Sequence, residues 1–267
     1  MSNDSIEIAG FKSVARLRLE QLKPFGVFAG PNGSGKSNLM DALAFVSAVI
    51  ELGAVKAIRK FRGFAQIHCY KLRKNNARTF EFDIQATMNA QKLSYSLKVH
   101  DMDTRPQLEE RLIVDGVIVL SRKKSQASTL YKKDGTQSTI DSLPSDVSAL
   151  MFTKGEVPLH DYLTNIQVFR FDPLGAKEPD GSSADATLLD SHGHNVATML
   201  AMLEKNEEFQ SQVVDWMTLL VPGMEQIHTA PERLRMWSVI SSPFGRQSWD
   251  AMLGANRAVW PCHISDL

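Results

Sequence analysis

Residues 25–41 read FGVFAGPNGSGKSNLMD, and this stretch decides how the first part of the chain folds. Residues 27–29 are apolar and stop at Gly30, which predicts a short strand. After the glycine-rich loop, Leu39, Leu43, Val46 and Ile50 recur at helical spacing. We therefore predict a strand, a loop and then a helix that begins at Ser37.

The loop has the spacing GxxxxGK[ST] of a phosphate-binding loop. Glycine allows the backbone to approach phosphate oxygens closely, and N–H groups at the start of a helix attract an anion. Lys36 would reach the β- and γ-phosphates of a nucleotide, and the Ser37 hydroxyl would hold Mg²⁺. The alternative is a glycine-rich turn that matches the pattern by accident. The predicted contacts are Gly30, Pro31, Asn32, Gly33, Ser34, Gly35, Lys36 and Ser37.

The composition is that of an ordinary globular protein. Of 267 residues, 43% are hydrophobic, and 30 Lys+Arg balance 30 Asp+Glu, so the overall charge indicates no polyanionic partner. Cys69 and Cys262 lie far apart, which argues against a disulfide framework or a zinc module and fits a reducing compartment. No leader and no run of 18 apolar residues is apparent, so a cytoplasmic location is expected.

Periodicity and turn residues predict the remaining elements. Strands are predicted over 6–8, 14–19 and 165–171, a hairpin over 79–99, and a hairpin or a strand over 111–120, with Asp115-Gly116 as the turn. A surface loop is predicted over 121–139, and two helices with core-forming apolar stripes over 195–203 and 207–220. No period is apparent after about residue 230, so the domain boundary is placed between 1–230 and 231–267.

The segment GPNGSGKSNLMDAL, preceded by IEIAGFKSVARLRLE, resembles the heads of RecF/SMC-like ABC-type ATPases. Within that branch the chain is most similar to the group labelled AAA family ATPases, in which Asn38 and Asp41 are typical. NIQVFRFDP and DSHGHNVATMLAML resemble later segments of these heads, so the resemblance spans residues 5–230. It implies an α/β P-loop NTPase core with an antiparallel β lobe and a helical segment. It also implies ATP and Mg²⁺ as ligands, Asn38 in the site, a second head (homodimer) or a partner protein, and work in DNA maintenance or defence.

The family's Walker B motif, four apolar residues followed by Asp and Glu, has no convincing counterpart. Leu112–Asp115 and Val168–Asp172 imitate it, but neither is followed by Glu. The catalytic residues therefore stay unknown. The sequence fits a family member truncated or frame-shifted before its signature and Walker B motifs, or a short protein with its own C-terminus. ATP binding is expected, with hydrolysis left open. A non-hydrolysing interaction module and, less favoured, a P-loop kinase using Asp115 are the alternatives.

Residues 56–78 contain eight Lys or Arg and no acidic residue. Arg59, Lys60 and Arg62 fall where SMC-like heads approach DNA, so DNA contact is one interpretation and a solvated basic face is the other. Such contacts would be salt-dependent and independent of base sequence.

Two further patterns carry weaker indications. His192 and His194 have the spacing of metal ligands, but no third ligand is apparent near them, so a loop or helix-cap role is expected. Gln85 and Gln167 are alternatives for the glutamine that couples Mg²⁺ to hydrolysis in the resembling family.

Overall fold

The structure is a computed structural model that describes residues 4–75, 78–101, 105–131, 136–171, 188–221, 228–234 and 253–259. The chain divides into two compact units, Met1–Val168 and Phe169–Leu267. The boundary that the sequence suggests near residue 230 stays a prediction.

An eight-stranded antiparallel sheet forms the first unit. Its strands follow the order β2-β1-β3-β4-β5-β6-β7-β8. They are β1 Ser5–Phe11, β2 Val14–Glu20, β3 Thr79–Met88, β4 Gln91–His100, β5 Gln107–Val114, β6 Val117–Arg122, β7 Ser128–Tyr131 and β8 Gln137–Ile140. The hairpin predicted over 79–99 is confirmed, and of the two alternatives for 111–120 the hairpin is confirmed, with Asp115-Gly116 as the turn between β5 and β6. The surface loop predicted over 121–139 is wrong, because β7 and β8 extend the sheet there.

Helices cover the apolar face of this sheet. They are α1 Lys36–Leu52, α2 Ala54–Lys60, α3 Phe64–Ile67 and α4 Leu159–Thr164, with 3-10 helices at Tyr70–Asn75 and Ala149–Thr153. The predicted helix after the loop is confirmed and starts one residue earlier than expected. Phe45 of α1 is fully buried and packs on Phe80 of β3 with ring centroids 5.1 Å apart. Phe11 of β1 completes the cluster at 5.8 Å from Phe45, which fixes α1 and the preceding loop against the sheet.

Residues 27–29 do not form the predicted strand. They run without sheet pairing, and the Val27 side chain is 76% exposed. A strand requires a hydrogen-bonded neighbour, and the sheet pairs its eight strands without residues 27–29. The strand predicted over 165–171 is also unpaired among the described residues. The described fold is therefore a set of helices on an antiparallel sheet.

The second unit contains α5 Val196–Leu203, α6 Glu207–Leu220 and the antiparallel pair β9 His228–Leu234 and β10 Leu253–Val259. Both helices match the sequence prediction. The Asn206 side chain begins α6 by accepting the N–H of Glu208 at 3.0 Å. The expected core role of the α6 stripe is wrong, since Trp216 is 66% exposed and no residue of α6 is buried. An amphipathic helix is buried only where another element covers its apolar face.

Within the described ranges, no helix combines the length and the apolar character that crossing a lipid bilayer requires.

Candidate nucleotide-binding site

The glycine-rich loop leads directly into the N-terminus of α1. Gly33 and Gly35 adopt φ values of 81° and 98°, a left-handed conformation that is costly for other residues. No side chain caps α1, and its first turn has no acidic residue. The first N–H groups of the helix therefore face the loop without a side-chain acceptor, which suits an anion.

Lys36 turns back over the loop that precedes it. Its Nζ atom donates hydrogen bonds to the carbonyl oxygens of Gly30 at 2.6 Å and Pro31 at 2.8 Å. The Ser34 hydroxyl lies 3.3 Å from the same nitrogen. The ammonium group is thus held at the centre of the loop by neutral acceptors. An anionic phosphate forms stronger, charge-assisted hydrogen bonds with such a donor than carbonyl groups do.

The turn between β1 and β2 supports the loop from the side. Asn38 Nδ2 donates to Ser13 Oγ at 2.7 Å, and Lys12 Nζ pairs with Asp41 Oδ2 at 2.6 Å. A Cβ atom at Gly35 would lie 3.2 Å from Ser13 Oγ, so the approach is close. Sequence reasoning identified Asn38 and missed Lys12 and Ser13. The sequence feature that could have identified these two residues is their position as a polar pair between two short strand patterns.

A cavity of about 440 Å³ opens between the loop and β2. This volume lies within the range of small-molecule sites. Ser34 and Lys36 supply polar groups to its lining, and Leu17, Leu19 and Phe28 supply apolar surface. Such a mixed lining suits a ligand with both a phosphate and a flat, weakly polar part. A larger cavity of about 580 Å³ over β4, β5 and β6 has no phosphate-binding loop, so its size alone does not make it the site.

Comparison with known proteins finds two similarities in sequence. The sequence profile of the family described as "AAA domain, putative AbiEii toxin, Type IV TA system" matches residues 25–149. The chromosome partition protein Smc of Methanocaldococcus jannaschii is 30% identical in an alignment of 128 residues that covers 42% of this chain and 11% of that relative. The resemblance to AAA/SMC-like ATPases is confirmed. Since the match spans only 11% of that relative's length, its whole-protein activity does not transfer directly.

Asp115, the aspartate of the first Walker B imitation, does not line the cavity beside the glycine-rich loop. Asp115 lies in the β5–β6 turn with φ 50°, and its Oδ1 accepts the N–H of Lys92 at 2.8 Å. Neither Asp115 nor Gln85 nor Gln167 is among the described residues that line the cavity beside the loop. The second imitation ends at Asp172, which lies outside the described residues.

The basic segment divides into two parts. Arg59 and Lys60 end α2, Arg62 follows it, and all three are exposed. Among the described residues, no acidic group lies within 4.0 Å of these three charges. Lys71, from the same segment, instead lines the cavity beside the phosphate-binding loop. Sequence reasoning missed Lys71, because only the packing of the 3-10 helix returns it to this position.

Proposed function

We propose that the first unit binds ATP with Mg²⁺ through Gly30–Asn38. The position of Lys36 carries this proposal, because its ammonium lies inside a glycine loop at an uncapped helix N-terminus. Lys36 binds the β- and γ-phosphates, and Ser37, exposed in the first turn of α1, places its hydroxyl on Mg²⁺. Leu17 and Phe28 supply the apolar wall against which a base can pack.

Replacing the lysine tests this assignment. Lys36→Ala removes a charged donor and should weaken ATP binding by about 10- to 100-fold, in line with the value of a charged hydrogen bond. Titration of a fluorescent ATP analogue into the purified chain, with Mg²⁺ present, measures the change. Lys154→Ala is the matched control, since Lys154 is exposed and does not line the cavity. Equal affinity of parent and Lys36→Ala would overturn the proposal.

In the cell, ATP binding would pair two heads, or a head and a partner protein, in DNA maintenance or defence. The support is that the similar proteins are a chromosome partition protein and a family described as putative toxins of a type IV toxin–antitoxin system. Light scattering of the purified chain with and without ATP tests the pairing. An unchanged mass at saturating ATP would contradict it.

A second function, ATP binding without hydrolysis, has its own supporting observation. Among the described residues, no carboxylate lines the cavity beside Lys36. Hydrolysis requires a group that positions or deprotonates water, and a carboxylate is the usual one. A phosphate-release assay on the chain alone distinguishes the two functions. Turnover that disappears in Lys36→Ala supports an ATPase, and binding without turnover supports the interaction module.

A further inference from the structure

The loop before α5 brings three possible metal ligands together. One atom each from Asp190, His192 and His194 lies within 4.8 Å of the others, and all three side chains are exposed. The two imidazole rings have centroids 5.9 Å apart and are inclined by 40°. The sequence offered two histidines without a third ligand. The structure supplies Asp190, which lies two residues before the first histidine.

Buried contacts fix the backbone that carries these side chains. Asn195 is 7% exposed, and its side chain accepts the N–H of Asp190 at 2.7 Å and donates to the carbonyl of Leu188 at 2.9 Å. Gly193 has φ 80°, and a Cβ atom there would lie 2.8 Å from the Phe171 ring. The loop therefore keeps one conformation, and only side-chain rotation is needed to bring the three ligands closer.

We propose that Asp190, His192 and His194 bind one divalent transition-metal ion of the zinc type. Zinc ligands lie about 2.0–2.2 Å from the ion, so in a tetrahedral site they are about 3.4 Å from each other. The three atoms must approach by roughly 1 Å from their present positions, which exposed side chains achieve by rotating. The remaining coordination position is open to water.

Hydrogen bonds at the cluster orient two of its members. Asp190 Oδ1 accepts the N–H of His192 at 2.8 Å, and the carboxylate also accepts the N–H of His194, so these two contacts hold it beside the histidines. Ser191 Oγ lies 3.0 Å from His192 Nδ1. A partner on one ring nitrogen is what orients a metal-binding imidazole through its other nitrogen.

The ligand atoms of this site determine which metal ions it prefers. This preference differs from that expected at the glycine-rich loop. Imidazole suits zinc, copper and nickel, whereas Mg²⁺ prefers oxygen ligands alone. Millimolar Mg²⁺ should therefore not displace zinc from the cluster. Lys36→Ala should leave zinc affinity unchanged, so failure of the ATP-binding proposal would not affect this one.

Competition with a chromophoric zinc chelator tests the site on the full purified chain. We expect one zinc equivalent per chain, an affinity at least about tenfold lower in His192→Gln or His194→Gln, and no specific binding in the double variant. Glutamine keeps the polarity of the loop, and circular dichroism without zinc checks that each variant folds. Equal zinc affinity of the parent and the double variant would overturn the proposal.

His160→Gln is the matched control. His160 Nδ1 lies 2.9 Å from Asp161 Oδ1, so it is also a histidine beside an aspartate, but the described residues bring it no third ligand. Zinc affinity should be unchanged in this variant. Zinc should raise the thermal stability of the parent and of His160→Gln, but not that of the double variant. A loss of zinc affinity in His160→Gln equal to that in His192→Gln would contradict the assignment.

Discussion

The Tyr95 hydroxyl donates a 2.8 Å hydrogen bond to Glu110 Oε1 inside the first unit, where each residue is only 1% exposed. Ser148 Oγ donates to the same oxygen at 2.5 Å, and the Ala149 N–H donates to Oε2 at 2.8 Å. Arg122 Nη1 lies 3.9 Å from Oε2, so an opposite charge accompanies the buried carboxylate. Glu110 thus fastens the 3-10 helix Ala149–Thr153 to the sheet.

Glu110→Gln should therefore lower the free energy of unfolding by about 2–4 kcal/mol. The amide keeps the size of the side chain, but it removes the charge beside Arg122 and faces the existing donors with an NH₂ group. Urea unfolding followed by circular dichroism measures the loss. Glu109→Gln is the control. Glu109 is partly exposed, lies on the opposite face of β5 from Glu110, and pairs with His100 of β4. Similar losses in both variants would show that the buried network contributes little.

Tyr95 makes the stability of the first unit sensitive to alkaline pH. Burial, followed by the charge and the hydrogen bond of Glu110, raises the pKa of Tyr95 well above its ordinary value of 10.0. Above pH 10 the unfolded chain releases this proton and the folded chain retains it, so stability falls as pH rises. Tyr95→Phe should be less stable than the parent at neutral pH by about 1–2 kcal/mol. Above pH 10 its free energy of unfolding should decline less steeply than that of the parent.

Urea unfolding midpoints measured from neutral to alkaline pH test this sign. Tyr162→Phe is the matched control, because Tyr162 is 51% exposed and its loss should leave the pH profile unchanged. A parallel decline in the parent and Tyr95→Phe would assign the alkaline sensitivity to other groups.

Gly53 joins α1 to α2 at a point where the backbone leaves no room for a side chain. Its φ is 83°, and a Cβ atom would lie 3.1 Å from the carbonyl oxygen of Asp146. That oxygen accepts the N–H of Ala54 at 2.7 Å, so it cannot move away freely. Gly53→Ala should cost about 2–3 kcal/mol, combining backbone strain with the contact.

Gly155→Ala separates these two contributions. Gly155 has φ 85°, but no atom lies within 4 Å of a Cβ built there, so only backbone strain of about 1 kcal/mol is expected. Thermal unfolding of both variants gives the comparison. Equal destabilisation would mean that the Asp146 contact adds nothing.

The sequence predicted those elements that are encoded within a single segment. Alternation and a turn at Asp115-Gly116 were sufficient for the β5–β6 hairpin, because both residues adopt the positive φ that such a turn needs. The apolar period over 207–220 was likewise sufficient for α6, and the structure adds Asn206 as the residue that caps it. The glycine-rich loop and the helix after it belong to the same class, since their glycines, lysine and apolar period are contiguous.

Features that depend on distant partners could not be predicted in this way. Residues 27–29 have strand-like composition, but composition does not reveal that the sheet pairs its eight strands without them. In the sequence, Glu110 is one charged residue in an alternating strand. Its burial depends on Ser148, which lies 38 residues away along the chain. Lys71 reads as part of a basic run, although packing places it at the cavity beside the loop.

Lys71 should contribute to nucleotide affinity. It is exposed at the rim of the cavity, so its attraction to a phosphate is screened, and Lys71→Ala should weaken ATP binding only about two- to fivefold. The same fluorescent ATP titration measures this, with Lys56→Ala as the control, since Lys56 is exposed on α2 and does not line the cavity. Unchanged affinity in Lys71→Ala would remove the lysine from the site.

Arg59, Lys60 and Arg62 should give any DNA binding by this chain its salt dependence. Combined replacement of the three by Ala should weaken binding to duplexes of different sequence equally and reduce the slope of log K against log salt by up to about 3. The fold should be retained, because α2 packs through buried Ala54 and Ala57 instead. Fluorescence anisotropy at several salt concentrations measures the slope. Replacing Lys123 and Lys124, which are exposed beyond β6, is the control, and an equal reduction there would show that the attraction is general and not located on this segment.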